Sequence, residues 1–116
     1  MGENSTIEYQ SSFTGADLEL NSIEALNFFR IFQEAIQNIQ KHSAASKVNF
    51  SLTNEDECLK LIITDNGKGF AINSQNPYEN FGLSNMKHRS DEINATLTIQ
   101  SVIGKGTSIE VEIRKT

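Results

Sequence analysis

Phe28-Phe29-Arg30-Ile31-Phe32-Gln33-Glu34-Ala35-Ile36-Gln37-Asn38-Ile39-Gln40-Lys41-His42 is the stretch from which the rest of the chain can be placed. At about 100° per residue, Phe28, Phe29, Phe32, Ala35, Ile36 and Ile39 share one broad apolar stripe, which predicts an amphipathic helix. Arg30, Glu34, Asn38 and Lys41 fall on the other side, with Glu34 and Asn38 one turn apart and stacked. The helix is expected from about Ser22 to His42. Asn21 suits its N-cap, Glu24 completes a capping box and Leu20 supplies an apolar neighbour. Lys41 and His42 complement the negative end of its dipole. One face therefore packs on a core while the other carries an acid, an amide and a cation.

Outward from this helix the chain alternates. Thr6 to Phe13, with Ile7, Tyr9 and Phe13 on one side, reads as a strand. Lys47–Thr53 and Leu59–Thr64 read as a hairpin around the polar turn Asn54-Glu55-Asp56-Glu57. A second helix is expected over Gly82–Ile93, with Leu83, Met86 and Ile93 at helical spacing. Thr96–Ser101 and Thr107–Arg114 read as strands about a Gly104-Lys105-Gly106 turn, turning Leu97, Ile99, Ile109, Val111 and Ile113 toward the helices. Met1–Ser5 reads as a frayed end, and Asn73–Asn80, with the single proline Pro77, as a mobile loop. Strands that mostly pair locally, with helices on one face, make an α+β two-layer sandwich on a mixed, mainly antiparallel sheet.

The chain has 116 residues, enough for a single domain with one core. Its net charge of −5 argues against nonspecific nucleic-acid binding, which relies on basic surface. A small anionic ligand needs only a few local donors and is not excluded. No apolar run approaches the ~20 residues that span a bilayer, so a soluble segment without direct membrane contact is expected. The single cysteine, Cys58, excludes an internal disulfide and reads as a small buried hydrophobe. Two histidines, His42 and His88, are too few for a metal site of their own, and His88 reads as solvated.

Three glycine-bearing segments carry the chemistry. Asp65-Asn66-Gly67-Lys68-Gly69-Phe70 follows directly on an apolar strand. It offers a fixed carboxylate beside glycines that permit φ > 0 and close backbone approach; taken alone, it also suits an Asn-Gly turn. It lacks the third glycine of a dinucleotide fingerprint, no phosphate loop is present, and a calcium loop from Asp65 finds no carboxylate at Asn76. Gly82-Leu83-Ser84-Asn85-Met86 opens a helix whose free N–H groups suit phosphate, with Lys87 and Arg89 within two turns. Gly104-Lys105-Gly106-Thr107 suits a hairpin.

Taken together, Glu34-x-x-x-Asn38-x-x-Lys41-His42, Asp65-x-Gly67-x-Gly69, Gly82-Leu83-x-x-Met86-x-x-Arg89 and Gly104-x-Gly106-Thr107 resemble the ATP-binding domain of bacterial sensor histidine kinases. These belong to the GHKL superfamily, which has the Bergerat fold and includes DNA gyrase, the MutL repair protein and a heat-shock chaperone. No single motif is specific; four in order at the family's spacing are, and the resemblance covers roughly Thr6 to Arg114. The Gly-Leu-x-x-Met-x-x-Arg segment is similar to the subgroup that partners helix-turn-helix regulators.

The resemblance implies Mg²⁺ coordination by Asn38 and polarisation of the nucleophile by Glu34. It places Lys41 and His42 at the phosphates, Asp65 at the adenine amino group, Gly67 and Gly69 at the close approach, and Thr107 at the base. Gly82 and Leu83 would offer N–H groups to phosphate, within a nucleotide-binding motif that includes Met86 and Arg89. ATP and Mg²⁺ are the implied cofactors. The implied partners are a histidine-bearing dimerisation domain, absent from this chain, and a downstream response regulator; the implied location is cytoplasmic. Asn80 stands where the lid motif often has glycine, and Asn94-Ala95 where a glycine pair is frequent; asparagine tolerates the left-handed turn required there. An anti-sigma-factor serine kinase, another GHKL ATPase such as one of the repair type, or a catalytically silent nucleotide-binding module are the competing readings.

Overall fold

A computed structural model describes residues 6–15, 19–72, 75–78 and 82–114. Its strands are β1 (Glu8–Gly15), β2 (Lys47–Glu55), β3 (Cys58–Asp65), β4 (Thr96–Val102) and β5 (Gly106–Arg114), with helices α1 (Ser22–Asn38) and α2 (Leu83–Glu92). They form one sheet in the order β1-β2-β3-β5-β4. The β2–β3, β3–β5 and β4–β5 pairs are antiparallel, whereas β1 runs parallel to β2. A parallel pair cannot be joined by a tight turn, and here α1 makes the crossover. This is the α+β sandwich anticipated, on a mixed and mainly antiparallel sheet.

The period of two in each strand sorts side chains between the faces. Leu59, Leu61 and Ile63 of β3, Ile109, Val111 and Ile113 of β5, Val48 of β2 and Leu97 of β4 are buried. They form one core with Phe28, Ile31, Ala35 and Ile39 from the first helical segment and Leu83 and Met86 from α2. Phe32 meets Phe50 of β2 edge to face, with ring centroids 5.1 Å apart. The opposite face is polar, and Lys60 pairs there with Glu110 at 3.9 Å.

The start of α1 follows its sequence signals. Asn21 Oδ1 accepts from the Glu24 N–H at 2.8 Å, and Glu24 Oε1 accepts from the Asn21 N–H at 3.0 Å. This reciprocal box satisfies two otherwise orphaned donors, with the N-cap side contributing about 1 kcal/mol. Two expectations for this helix need correction. Ile31, left off the apolar stripe, is wholly buried, while Phe29, placed on it, is 57% exposed. The buried line runs Phe28–Ile31–Ala35–Ile39, so the stripe is rotated toward Ile31. Asn38 and Glu34 consequently lie at its half-buried flank, while Arg30 and Lys41 are solvated. The α-helix also ends at Asn38, and a π-helical turn over Ile39–Ser43 carries Lys41 and His42. Ala44 closes the turn with φ 56°.

Smaller differences have local causes. β1 begins at Glu8 and ends at Gly15, and every residue along it is exposed. The β2–β3 turn is tight, with Asp56 and Glu57 both at positive φ, the backbone of a type I′ hairpin. Cys58 is not a buried hydrophobe. It is half-exposed beside the buried Leu59, and its thiol donates to Glu112 Oε2 at 2.7 Å. Asn94 takes φ 57°, the left-handed turn expected of it. The readings of Met1–Ser5 and Asn80 lie outside the described residues. Of the loop expected at Asn73–Asn80, residues 75–78 are described, with Tyr78 packed against the core.

Candidate functional site

Three apolar stripes end in polar residues at the same edge of the core. Asp65 follows Leu61 and Ile63 on β3, Thr107 precedes Ile109 and Val111 on β5, and Ser101 follows Leu97 and Ile99 on β4. Register aligns them, since Asp65 pairs with Thr107 and Thr107 with Ser101. The end of the first helical segment closes over this edge. A cavity of about 60 Å³ results, lined by Ala35, Asn38, Ile39, His42, Ser43, Asp65, Lys68, Gly69, Phe70, Leu83, Thr107 and Ile109.

Hydrogen bonds fix its floor. Asp65 Oδ1 accepts from the Gly67 N–H at 2.7 Å, and its carboxylate also takes the Thr107 N–H. Burial pushes the Asp65 carboxyl above the usual aspartate range, and the two N–H bonds hold part of that rise back. Asn66 Oδ1 accepts from the N–H groups of Ser46 and Lys47, both at 2.9 Å, tying the floor to the segment after the helix. The Lys68 N–H donates to Ser43 O at 2.7 Å, and Lys68 O accepts from the Gly104 N–H at 2.7 Å. The Asp65–Phe70 segment is thus stitched to the helix end on one side and the β4–β5 turn on the other.

The glycines of this region meet protein backbone. A Cβ on Gly67 would stand 2.3 Å from Ser43 O, and one on Gly69, at φ +63°, 2.2 Å from Val102 O. Close approach was expected toward a ligand; the chain itself already requires it. Gly82, at φ +72°, caps α2 and leaves only 2.6 Å between its missing Cβ and Glu34 Oε2.

The structure brings Asn38, His42, Asp65, Gly69, Leu83 and Thr107 together around one cavity. Gly67 is buried behind the floor. Glu34 and Gly82 meet at the side, outside the lining. Met86 is a core residue, Arg89 is half-buried and Lys41 is exposed, and none of the three lines the cavity. Lys87 is engaged elsewhere, 2.8 Å from Asp91 and 5.8 Å from the Tyr78 ring centroid. Ser43, Lys68, Phe70 and Ile109 were not singled out. Ile109 was findable, two residues after Thr107 on the same face; Ser43 had no signal, because its place depends on the π-turn.

A family profile described as "Histidine kinase-, DNA gyrase B-, and HSP90-like ATPase" matches residues 23–116. The chain belongs to that family. Two curated sensor proteins resemble this ATPase-family domain. Sensor histidine kinase LiaS of Bacillus subtilis is 45% identical over 87 residues, covering 75% of this chain and 24% of LiaS. Sensor protein VraS of Staphylococcus aureus is 46% identical over 86 residues, covering 74% of this chain and 24% of VraS. The chain thus spans about a quarter of the length of these relatives. Among solved structures, the blue-light activated histidine kinase EL346 of Erythrobacter litoralis superposes with a TM-score of 0.78 at 17% identity, over 94% of this chain and 35% of that one. That last likeness shows a shared fold.

No group of three or more histidine, cysteine, aspartate or glutamate residues among the described residues is arranged to hold a metal. The donor chemistry of the cleft nevertheless suits Mg²⁺, which is held by few protein oxygens together with substrate phosphates and water. Asn38 lines the cavity, and its side-chain amide is the group there that would supply one such oxygen. Among the described residues, no helix is long and apolar enough to cross a membrane.

Proposed function

We propose that this ATPase-family domain binds Mg²⁺-ATP in the cleft and transfers the γ-phosphoryl group to a histidine on a separate dimerisation domain. The carrying observation is the convergence of Asn38, His42, Asp65 and Thr107 on one cavity from three separate segments. Asp65 accepts a hydrogen bond from the adenine amino group, and Thr107 holds the base beside it. Asn38 is the protein ligand of Mg²⁺, which neutralises phosphate charge when bound. His42 and Lys41 reach the phosphates, with the N–H groups of Gly82 and Leu83 closing from α2.

Phosphoryl transfer depends on positioning and charge neutralisation more than on covalent assistance. Glu34 takes or polarises the N–H of the acceptor imidazole, whose other nitrogen forms the N–P bond. The bond from Pγ to the β–γ bridging oxygen breaks in the same displacement, and ADP leaves. A response regulator then receives the phosphoryl group, in the cytoplasm. The strong resemblance to LiaS and VraS supports this two-component role.

Calorimetry of the domain with ATP, ADP and GTP, with and without Mg²⁺, tests the binding half. Adenine nucleotides are expected to bind in preference to GTP, more tightly with the metal. Equal affinity for GTP would remove Asp65 as the base reader. Phosphorylation of an added histidine-bearing dimerisation domain, with no acid-labile phosphohistidine on the isolated domain, tests the catalytic half.

A further inference from the structure

β1 is the outermost strand of the sheet, and among the described residues no strand pairs with its outer edge. The Glu8 N–H donates to Ser46 O at 2.9 Å, on the β2 side. In a parallel pair the N–H and C=O of one residue point to the neighbour and those of the next point away. Glu8, Gln10, Ser12 and Thr14 therefore bond β2, while Tyr9, Ser11 and Phe13 aim their backbone groups out of the sheet. Such edges are ordinarily blunted by lysine, proline or a bulge. Residues 8–15 contain neither lysine nor proline and pair with β2 one for one. The same alternation turns the side chains of Tyr9, Ser11 and Phe13 to the helix layer. Tyr9 OH accepts from Gln40 Nε2 at 3.2 Å, and Phe13 walls an apolar groove of about 340 Å³ with Phe28, Phe29 and Phe32.

We propose that this edge is an interface between two copies of the chain, joined as an antiparallel β1–β1 pair centred on Ser11. Only residues whose backbone groups face outward can exchange bonds, so Tyr9, Ser11 and Phe13 must meet one another. A twofold axis at Ser11 sets it opposite its own copy, and sets Phe13 opposite Tyr9 of the second copy, twice. Aromatic residues directly opposite each other stabilise a sheet, and a shift of two residues would lose both pairs. Glu8, the strand's one charged residue, falls opposite Thr14 and far from its twin. An unrelated strand would match this edge only by carrying aromatics at the same spacing, which a second copy does by symmetry. Tyr9 is 42% exposed, Phe13 75% and Phe29 57%. A buried aromatic side chain removes ~150–250 Å² from water, so these three offer roughly 300–400 Å² per copy. Twice that, together with the strand edges, reaches the ~1,000 Å² of a specific but weak interface.

No β1 residue lines the cleft, so association and ligand binding are separable. Sedimentation equilibrium of the chain from about 10 µM to about 1 mM, the range of a weak interface, should show the mass rise from one copy toward two. Ser11→Lys sets two cations opposite each other at the axis and should weaken association more than about tenfold. Its thermal stability should stay that of wild type, because residue 11 is exposed. In a Cys58→Ser background, Ser11→Cys should form an intermolecular disulfide on mild oxidation, since a hydrogen-bonded pair holds its Cα atoms about 5.5 Å apart. Glu8→Cys in the same background, with its twin at the far end of the pair, should not. If Ser11→Lys does not fold, the two cysteine variants decide. A single-copy mass throughout, association that survives Ser11→Lys, or equal cross-linking at positions 8 and 11 would overturn the inference.

Discussion

Asp65 on β3 stands directly opposite Thr107 on β5, and the Thr107 backbone N–H donates to the Asp65 carboxylate. The same strand pairing that builds the core therefore holds two groups at the cleft in fixed register. Its cost is a carboxylate placed at the edge of an apolar interior.

That cost predicts a separation of stability from binding. Burial raises the folded-state pKa of Asp65 above its unfolded value. Its contribution to stability is therefore full below the ordinary aspartate pKa of about 4 and is lost as pH rises through the folded value. At pH 7 the ionised side chain burdens the empty domain. Asp65→Asn should be at least as stable as wild type at pH 7, with that advantage gone near pH 4 in thermal unfolding. The same variant should weaken ATP binding by about 1.5–3 kcal/mol through loss of a charge-assisted bond.

The glycines of the cleft should rank by what their missing side chains would strike. Gly104, at φ +84°, has nothing within 4 Å of a Cβ, whereas Gly106, at φ +109°, would place one 2.0 Å from Asp65 O. Gly104→Ala should cost only the left-handed backbone penalty, about 1–2 kcal/mol. Gly106→Ala must also displace β3 backbone and should exceed about 3 kcal/mol in urea unfolding. Equal losses at the two sites would refute the packing argument.

Glu34 and Gly82 should separate catalysis from binding. With the histidine-bearing domain supplied, Glu34→Gln should lose transfer rate by ~10²–10⁴-fold if it acts as base, while ATP affinity stays nearly constant. Gly82→Ala would crowd the Glu34 carboxylate and strain the α2 cap. It should lower transfer as well, and a variant with unaltered rate would show that the contact is dispensable.

Cys58 offers a test outside the cleft. Its hydrogen bond to Glu112, then burial, raise the thiol pKa, and the same bond lowers that of Glu112. Thiolate is the reactive form, so alkylation at pH 8 should be slower than for an unstructured cysteine peptide. Glu112→Gln should accelerate it, by removing the acceptor that holds the thiol protonated. No change on that substitution would mean that the bond does not govern reactivity.

Most of the sheet could be read from the sequence because alternation reports which residues of a strand share a face. The alternation of Leu59, Leu61 and Ile63 also carried Asp65 toward the core side of the sheet, so a cavity-lining carboxylate was implicit in a packing pattern. The first helix was harder. Phe29 and Ile31 are both apolar, and periodicity alone did not say which flank meets the sheet; tertiary packing chose Ile31. The π-turn was not legible either, since Ile39–Ser43 carries no glycine or proline to mark a change of winding. Its effect is large, because it turns His42 and Ser43 into the cleft. Ser101 went unnoticed because a serine at a strand end is ordinary until register places it behind Thr107.

The parallel pairing of β1 with β2 also governs how this chain assembles. The β2–β3 and β4–β5 hairpins close through short turns, so little chain entropy is lost before their bonds form. β1 reaches β2 only after the whole of α1 has been laid across the sheet, a long loop closure that slows non-local pairing. It lies at an edge, exposed along its length, with little packing to reward early docking. Its amides should therefore exchange with solvent well before those of β3 and β5, through opening that leaves the cleft intact. The strand that arrives last in folding would then be the first to leave.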